Sequence, residues 1–225
     1  MENKKSKKKR AHLFNPKLFP MDLARILCAP APAFFNIKKI YTSEKAKKKL
    51  KGGMIIVANH TCIKDPLMIS CCFWYRRMFH LTAEAVMAKK IKALALKGVG
   101  CIKINRNICD IESVRKAVDI VKKGHVLTIF PQGGIKADED INSIKSGVVL
   151  MAMQAKSPIV PCYIHNKKDK NDHNCIVIGE PIELFSKSGI AGLHDINKCA
   201  SDVIEKMAEC KAVFEQTRSD LNGNN

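Results

Sequence analysis

The sequence contains no long uninterrupted apolar run. A helix that crosses a membrane needs about 18 to 20 apolar residues in a row, and no stretch of the 225 residues reaches that length. The nearest candidate, residues 26–37, contains Pro30 and Pro32, which break a helix. We therefore expect no transmembrane helix. The segment can still lie flat in a bilayer interface with Phe34 and Phe35 inserted, or it can pack on the domain. In the first case three flanking basic residues would meet lipid headgroups: Arg25, Lys38 and Lys39.

Patterns typical of disulfides, zinc sites and secretion are also missing. The chain has ten cysteines, but no two form a C-x-x-C pair, and several lie inside apolar runs such as residues 68–74. The basic start of the chain leads into no uninterrupted hydrophobic core, so we predict no signal peptide. We expect reduced, buried thiols in a cytosolic protein, and neither a disulfide framework nor a metal site.

Acidic residues are scarce near the N-terminus. Residues 1–51 hold 15 Lys and Arg against three Asp and Glu, so this segment carries most of the net charge of +18. A basic arm attracts polyanions, either nucleic acid or the anionic face of a membrane, and a solvated arm with no specific partner is the alternative. The arm has few aromatic residues and no nucleic-acid recognition motif. We therefore predict a membrane-associating basic arm over 1–34, no nucleic-acid partner, and one folded domain over 35–225.

Apolar strands and amphipathic helices alternate through the middle of the chain. The apolar runs at 54–58 and 126–130 are typical of buried strands. Between them, the segment 109–125 repeats valine and isoleucine at helical spacing and has Gly124 where a C-cap would lie. This alternation predicts a layered α/β domain.

Polar residues interrupt the apolar pattern directly after the first of these runs. Asn59 and His60 follow it, Asp65 comes five residues after the histidine, and Pro66 comes next. A histidine can remove a proton from a hydroxyl, and a carboxylate on its other ring nitrogen fixes the tautomer and stabilises the imidazolium. No serine nearby has the setting of a nucleophile, so the substrate's own hydroxyl would attack. Taken alone, the pattern also fits a packed histidine and an Asp65 that caps a helix with Pro66 as its first residue. One oxygen of Asp65 can in principle cap the helix while the other holds His60.

Two later strand ends carry further candidates. Lys103 and Arg106 stand near the end of an alternating strand, where an arginine suits a bidentate phosphate contact and a surface ion pair is the alternative. The turn at 130–134 contains two glycines whose backbone N–H groups can bind a phosphate or an oxyanion, although it can also be a plain turn. Residues just past the strand ends of an open α/β sheet converge on one crevice, so the three stretches can form one site.

Together these stretches resemble the glycerolipid acyltransferase family, the lysophosphatidic acid and glycerol-3-phosphate acyltransferases. Four motifs occur here in the family's order, over roughly residues 35–185. They are N-H-x-x-x-x-D at Asn59, His60 and Asp65; a second motif that ends in an arginine, at Arg106; F-P-E-G, here Phe130 to Gly133; and a V-P stretch with Pro161. The resemblance implies an α/β/α domain with a mostly parallel or mixed central sheet and N-terminal helices at the membrane. It also implies a peripheral or monotopic enzyme of phospholipid biosynthesis at the cytoplasmic face of the cell membrane.

The same resemblance assigns roles to residues. His60 would deprotonate the acceptor hydroxyl, Asp65 would orient the histidine, and Arg106 would hold the acceptor's phosphate. The hydroxyl of 1-acylglycerol-3-phosphate would attack the thioester of acyl-CoA or acyl carrier protein and give phosphatidic acid, with no metal or other cofactor. The remaining candidates for substrate binding are Asn59, Lys103, Phe130, Pro131, Gln132, Gly133 and Gly134.

One motif departs from the family's pattern. Gln132 stands where the family usually has glutamate, and Gly134-Ile135 replaces the common Thr-Arg. Glutamine keeps the shape and an acceptor oxygen but loses the negative charge. A different lysolipid, hydroxyl or amine acceptor is therefore the alternative to lysophosphatidic acid. The intact His60 and Asp65 argue against an inactive relative.

Overall fold

Strands and helices alternate along the chain in the computed structural model, which describes residues 18–27, 29–34, 36–49, 51–105, 110–131, 146–169, 172–184 and 193–223. The strands are β1 (Ile37–Tyr41), β2 (Met54–Ala58), β3 (Met78–Ala83), β4 (Cys101–Ile104), β5 (Val126–Ile129), β6 (Ile159–His165) and β7 (Asn174–Ile178). The helices are α1 (Phe19–Leu27), α2 (Ala31–Phe34), α3 (Asp65–Cys72), α4 (Lys90–Gly98), α5 (Ile111–Lys122), α6 (Ser146–Ala155) and α7 (Leu193–Gly223), and a short 3-10 turn covers Glu84–Met87.

Within the described residues the strands form one seven-stranded sheet in the order β1-β7-β6-β2-β5-β3-β4. Strands β2 to β6 run parallel to one another, β7 is antiparallel to β6, and β1 is parallel to β7. The mostly parallel, mixed sheet confirms the predicted fold class. Its parallel strands end at a common edge, where the segments after β2, β5 and β6 can meet.

Strands β2, β5 and β6 are buried along their whole length because helices cover both faces of the sheet. All five residues of β2 are buried. Ile55 and Val57 belong to the cluster that contains buried side chains of α5, α6 and α7, whereas Met54, Ile56 and Ala58 belong to the cluster that contains those of α3. The alternation follows from the two-residue repeat of a strand, and it gives the three layers that the family resemblance implied.

Pro161 lies inside β6, although a proline cannot donate to a neighbouring strand. Its carbonyl accepts a hydrogen bond from Gly179 N at 2.8 Å, and β7 has already ended at Ile178. The nitrogen of Pro161 therefore faces the turn after β7, where no ladder bond is lost. A side chain at Gly179 would collide with Pro161 and with Cys210 of α7. The turn after β7 therefore needs a glycine where it passes close to the proline of the V-P motif.

An ion pair fixes α1 against the domain. Arg77, just before β3, donates to both carboxylate oxygens of Asp22, from Nε at 2.9 Å and from a terminal nitrogen at 2.8 Å. Both residues are 7% exposed. The hydrogen bond from Arg77 lowers the pKa of Asp22 despite the opposing effect of burial. Met21 of the same helix packs in the core beneath the sheet, so α1 is part of the packed structure.

None of the helices that the structure describes is long and apolar enough to span a bilayer.

We expect Asp22→Ala to destabilise the protein by about 3 kcal/mol at neutral pH, because it removes the carboxylate that the buried Arg77 guanidinium binds through two hydrogen bonds. Since folding lowers the pKa of Asp22, this stabilisation is present above the pKa of the unfolded carboxyl, about 3.9, and is lost as the pH falls through the folded-state value. Urea unfolding of wild type and variant at several pH values measures the difference. As a control, Arg25→Ala removes a more exposed partner of Asp22, 3.4 Å away, and we expect it to cost less than about 1 kcal/mol. Equal costs for the two variants would contradict the assignment.

Candidate active site

The segments that carry the candidate residues meet at the edge of the sheet where the parallel strands end. Asn59 and His60 follow β2, Phe130 follows β5, and Asn166 follows β6. These strands are neighbours in the order β5-β2-β6, so residues far apart in sequence come together at one place.

His60 and Asp65 form the pair that their spacing predicted. Nδ1 of His60 lies 2.9 Å from Oδ2 of Asp65. A carboxylate only accepts hydrogen bonds, so Nδ1 carries the proton and Nε2 is the nitrogen through which the ring can take up another one. The ring stacks on Phe130 at a centroid distance of 4.3 Å. The histidine side chain is 15% exposed and that of Asp65 is fully buried, so solvent contacts the histidine but not the carboxylate behind it.

Four donors satisfy the buried carboxylate of Asp65. Besides the His60 ring, Oδ2 accepts from the backbone N–H groups of Thr61 at 2.7 Å and Cys62 at 2.8 Å. Oδ1 accepts from Nδ2 of Asn166 at 2.7 Å. Such bonding is needed because burying an unpaired carboxylate is very costly. The chain between the histidine and the aspartate thus folds around the carboxylate.

The prediction that Asp65 caps a helix is wrong. Lys64 is the N-cap residue of α3, it makes no side-chain cap bond, and Asp65 is already the first helical residue. Both carboxylate oxygens turn back toward the preceding loop and Asn166, because those donors and His60 lie on that side. Pro66 fits the first helical turn, where its missing N–H removes no helical bond.

Two contacts fix the helix that carries Asp65. Ser70 Oγ of α3 lies 2.9 Å from Nε2 of His80 in β3. Burial lowers the pKa of His80 to about 4, so this histidine is neutral at physiological pH. Two residues further along α3, the carbonyl of Cys72 accepts a hydrogen bond from Lys39 of β1 at 3.0 Å. The helix is thereby tied to two strands of the sheet.

Asn59 does not line the crevice, which corrects its predicted role in substrate binding. Its side chain is completely buried. Nδ2 donates to the carbonyl of Ile164 at 2.8 Å, and Oδ1 accepts from the N–H of the same residue at 2.7 Å. Asn59 therefore binds the end of β2 to β6 and positions the backbone that carries His60.

Asn166 is a site residue that sequence reasoning missed. Its amide donates to Asp65 Oδ1 and, at 3.0 Å, to Oγ1 of Thr61. Its position in the sequence could have identified it, since it directly follows the strand that contains the V-P motif. It therefore lies at the same edge of the sheet as the other candidates. No local motif joins Asn166 to Asp65, because 101 residues separate them.

The residue before Asn166 is also fixed. His165 Nε2 lies 2.7 Å from Oδ2 of Asp172, and its ring stacks on Phe214 of α7 with the centroids 4.4 Å apart. Burial raises the pKa of Asp172, but bonds from His165 and from two backbone amides outweigh it and lower the pKa to about 2. These contacts hold the end of β6 in place and with it the backbone of Asn166.

The other predicted residues lie elsewhere or outside the described part of the chain. Lys103 is on β4, three strand spacings or about 14 Å from β2, and its Nζ lies 2.6 Å from Oε1 of Glu84. The surface ion pair that was its alternative is therefore what the structure shows. Pro131 is buried next to Phe130. Four candidates fall outside the described residues: Arg106, Gln132, Gly133 and Gly134.

The sequence matches a known protein family and several curated relatives. The Acyltransferase family model matches residues 37–165. A putative 1-acyl-sn-glycerol-3-phosphate acyltransferase of Caenorhabditis elegans is 30% identical over 145 residues, which cover 56% of this chain and 52% of that protein. The 1-acyl-sn-glycerol-3-phosphate acyltransferase of Borreliella burgdorferi is 26% identical over 133 residues, which cover 58% of this chain and 52% of that protein. The chain thus spans about half the length of these relatives.

The fold itself has a match among solved structures. The crystal structure of PlsC, a 1-acyl-sn-glycerophosphate (LPA) acyltransferase from Thermotoga maritima, aligns over 91% of this chain and 86% of that chain, with a TM-score of 0.61 and 16% identity. At this identity the similarity concerns the fold. The family model, in contrast, matches more than half of the sequence and includes the His60–Asp65 pair, and the chain therefore belongs to the acyltransferase family.

Proposed function

We propose that the protein transfers a fatty acyl group from a thioester to the free hydroxyl of 1-acylglycerol-3-phosphate and so makes phosphatidic acid. The observation that carries the proposal is the His60–Asp65 pair at the sheet edge of an acyltransferase-family chain. The names of the relatives supply the acceptor. The substrates, the reaction at the cytoplasmic face of a membrane, and the role of the enzyme in phospholipid biosynthesis are all parts of this proposal.

The reaction uses His60 twice. Nε2 takes the proton of the acceptor hydroxyl while the hydroxyl oxygen attacks the thioester carbonyl carbon. Asp65 stabilises the imidazolium that results, through the bond at Nδ1. The tetrahedral intermediate then expels the thiolate, which receives the proton from His60 and leaves as the free thiol of coenzyme A or of acyl carrier protein. Bonds and charges balance without a metal ion or a redox cofactor.

The acceptor's phosphate needs cationic and N–H donors near the base. Arg106 and the loop of residues 132–134 are the proposed donors, since they follow β4 and β5 in the sequence. The donor thioester is acyl-CoA or acyl-acyl carrier protein.

We expect His60→Ala to lower kcat/KM by about 10²–10⁴-fold, because the reaction loses its general base. Release of free thiol from the donor in the presence of lysophosphatidic acid measures the rate. His194→Ala, an exposed histidine of α7, is the matched control and should retain full activity. Full thiol release by His60→Ala, with unchanged thermal unfolding, would overturn the mechanism.

Asn166 provides a test of how the carboxylate is positioned. A hydrogen bond to a charged group is worth about 1.5–3 kcal/mol, so we expect Asn166→Ala to lower kcat about ten- to a hundredfold while KM changes little. Asn166→Asp keeps the side-chain volume but places a second carboxylate against Asp65. We therefore expect a larger loss than for alanine at neutral pH, and a partial recovery relative to wild type as the pH falls and the carboxyl pair shares a proton.

The order of the two Asn166 variants distinguishes positioning from packing. If Asn166 only fills space, the isosteric aspartate variant will be the more active one and its rate relative to wild type will not depend on pH. The same two substitutions at Asn197, which is exposed on α7, should leave the rate unchanged.

The identity of the acceptor is tested with a panel of lysolipids, alcohols and amines, each supplied with acyl-CoA and with acyl-acyl carrier protein. We expect lysophosphatidic acid to exceed lysophosphatidylcholine at least about tenfold in kcat/KM, because a bound phosphate monoester adds charge-assisted hydrogen bonds. Gln132 favours the alternative of another acceptor, since it lacks the charge of the family's glutamate. A clear preference for an acceptor without a phosphate monoester would establish that alternative.

A further inference from the structure

Helix α4 presents apolar side chains to solvent. Ile91 is 87% exposed and Leu94 is 75% exposed. Successive residues of a helix rotate by about 100°, so these two and Ala95 lie on one stripe. Ala93 and Leu96, on the opposite side, are only partly exposed, and no residue of α4 is buried. An ordinary surface helix turns its polar face outward, and α4 does the reverse.

Lysines flank this stripe. On the helical wheel Lys90 and Lys92 fall on its two sides, Lys89 precedes the helix, and Lys97 lies in its last turn. None of these lysines forms an ion pair within the part of the chain that the structure describes, whereas Lys103 pairs with a carboxylate. We call Ile91, Leu94, Ala95, Lys90 and Lys92 the α4 surface.

We propose that the α4 surface docks on an anionic lipid bilayer. The helix would lie in the plane of the interface, with Ile91 and Leu94 at the boundary between headgroups and acyl chains and the lysines on anionic headgroups. Nine residues span about 13 Å, which suits an interfacial contact. The inference concerns binding and does not depend on which acceptor the enzyme uses.

A bilayer fits this surface better than an acidic protein does. The stripe lies on the outside of a helix, so it is convex and offers no groove for a partner to fill. The C-terminal end of α4 is next to α1, because a side chain at Gly98 would lie 3.8 Å from Pro20. Helix α1 exposes further apolar residues, among them Ile26 at 64% and Leu27 at 69%. Exposed apolar side chains on a second helix beside α4 add to the apolar surface that a lipid phase can cover.

The α4 surface differs from the interfacial segment predicted from sequence. Two of the three basic residues assigned to headgroups contact the protein instead, since Arg25 lies 3.4 Å from Asp22 and Lys39 donates to a carbonyl of α3. Helix α4 follows β3 and the 3-10 turn after it, so it begins at the edge of the sheet that carries His60. Docking would bring that edge close to the lipid surface.

The test is flotation of the full chain with phosphatidylcholine vesicles, with or without phosphatidylglycerol. We expect the double variant Ile91→Asn, Leu94→Asn to lower apparent affinity for both vesicle types at least about tenfold, because it removes two inserted apolar side chains. Ile111→Asn changes an isoleucine of α5 that is 65% exposed, and this control should bind as wild type does. Lys90→Gln, Lys92→Gln should weaken binding to the anionic vesicles alone, and high salt should abolish that difference.

Three results would overturn the proposal: wild-type binding by the double asparagine variant, an equal loss in the Ile111 control, or no vesicle binding by the unaltered chain. If the double asparagine variant binds vesicles normally but no longer forms a complex with acyl carrier protein, the α4 surface binds that protein instead. Turnover of a water-soluble short-chain acceptor is measured in parallel. Unchanged turnover in the double asparagine variant separates a failure of docking from a failure of the proposed reaction.

Discussion

The site depends on keeping one carboxylate buried and fully hydrogen-bonded. Asp65 has no exposed surface, and an unpaired charge at such a place would cost more than a marginally stable domain can bear. Its donors come from two separate parts of the chain, the loop after β2 and the end of β6. The site therefore exists only if these two strands lie side by side in one register. That register pairs Val57 with Pro161 and Ala58 with Cys162.

Two asparagines hold this junction from opposite directions. Asn59, at the end of β2, bonds to the backbone of Ile164 in β6, and Asn166, just after β6, bonds to Asp65 beyond β2. An amide offers both a donor and an acceptor and stays neutral when buried, so it can join strand ends without adding charge beside the carboxylate. In the N-H-x-x-x-x-D motif, the asparagine thus has a structural role, since it joins two strand ends.

The sequence predicted what local patterns determine. Apolar runs predicted the buried strands, and the five-residue spacing predicted the contact between His60 and Asp65, which the structure contains. It did not predict Asn166, because periodicity identifies strands but not which strands become neighbours. The cap at Asp65 was a reasonable prediction from local preference alone, yet donors from outside the helix took both oxygens. The partner of Lys103 was missed for the same reason, since Glu84 comes from another segment.

Membrane contact is likewise a property of surfaces more than of sequence segments. Residues 26–37 attracted attention as the longest apolar stretch, but length alone does not show which side chains face outward. Arg25 lies against Asp22, the carboxylate that also binds Arg77. The ion pair that fixes α1 therefore also engages an arginine that the sequence had assigned to lipid headgroups. Helix α4 has fewer apolar residues, yet its Ile91 and Leu94 are even more exposed than Ile26 and Leu27 of that stretch, and they lie between lysines that form no ion pair in the described chain. One side of this short helix packs against the domain, and the opposite side is apolar. That apolar side can be removed from water only by contact with a lipid phase or a partner.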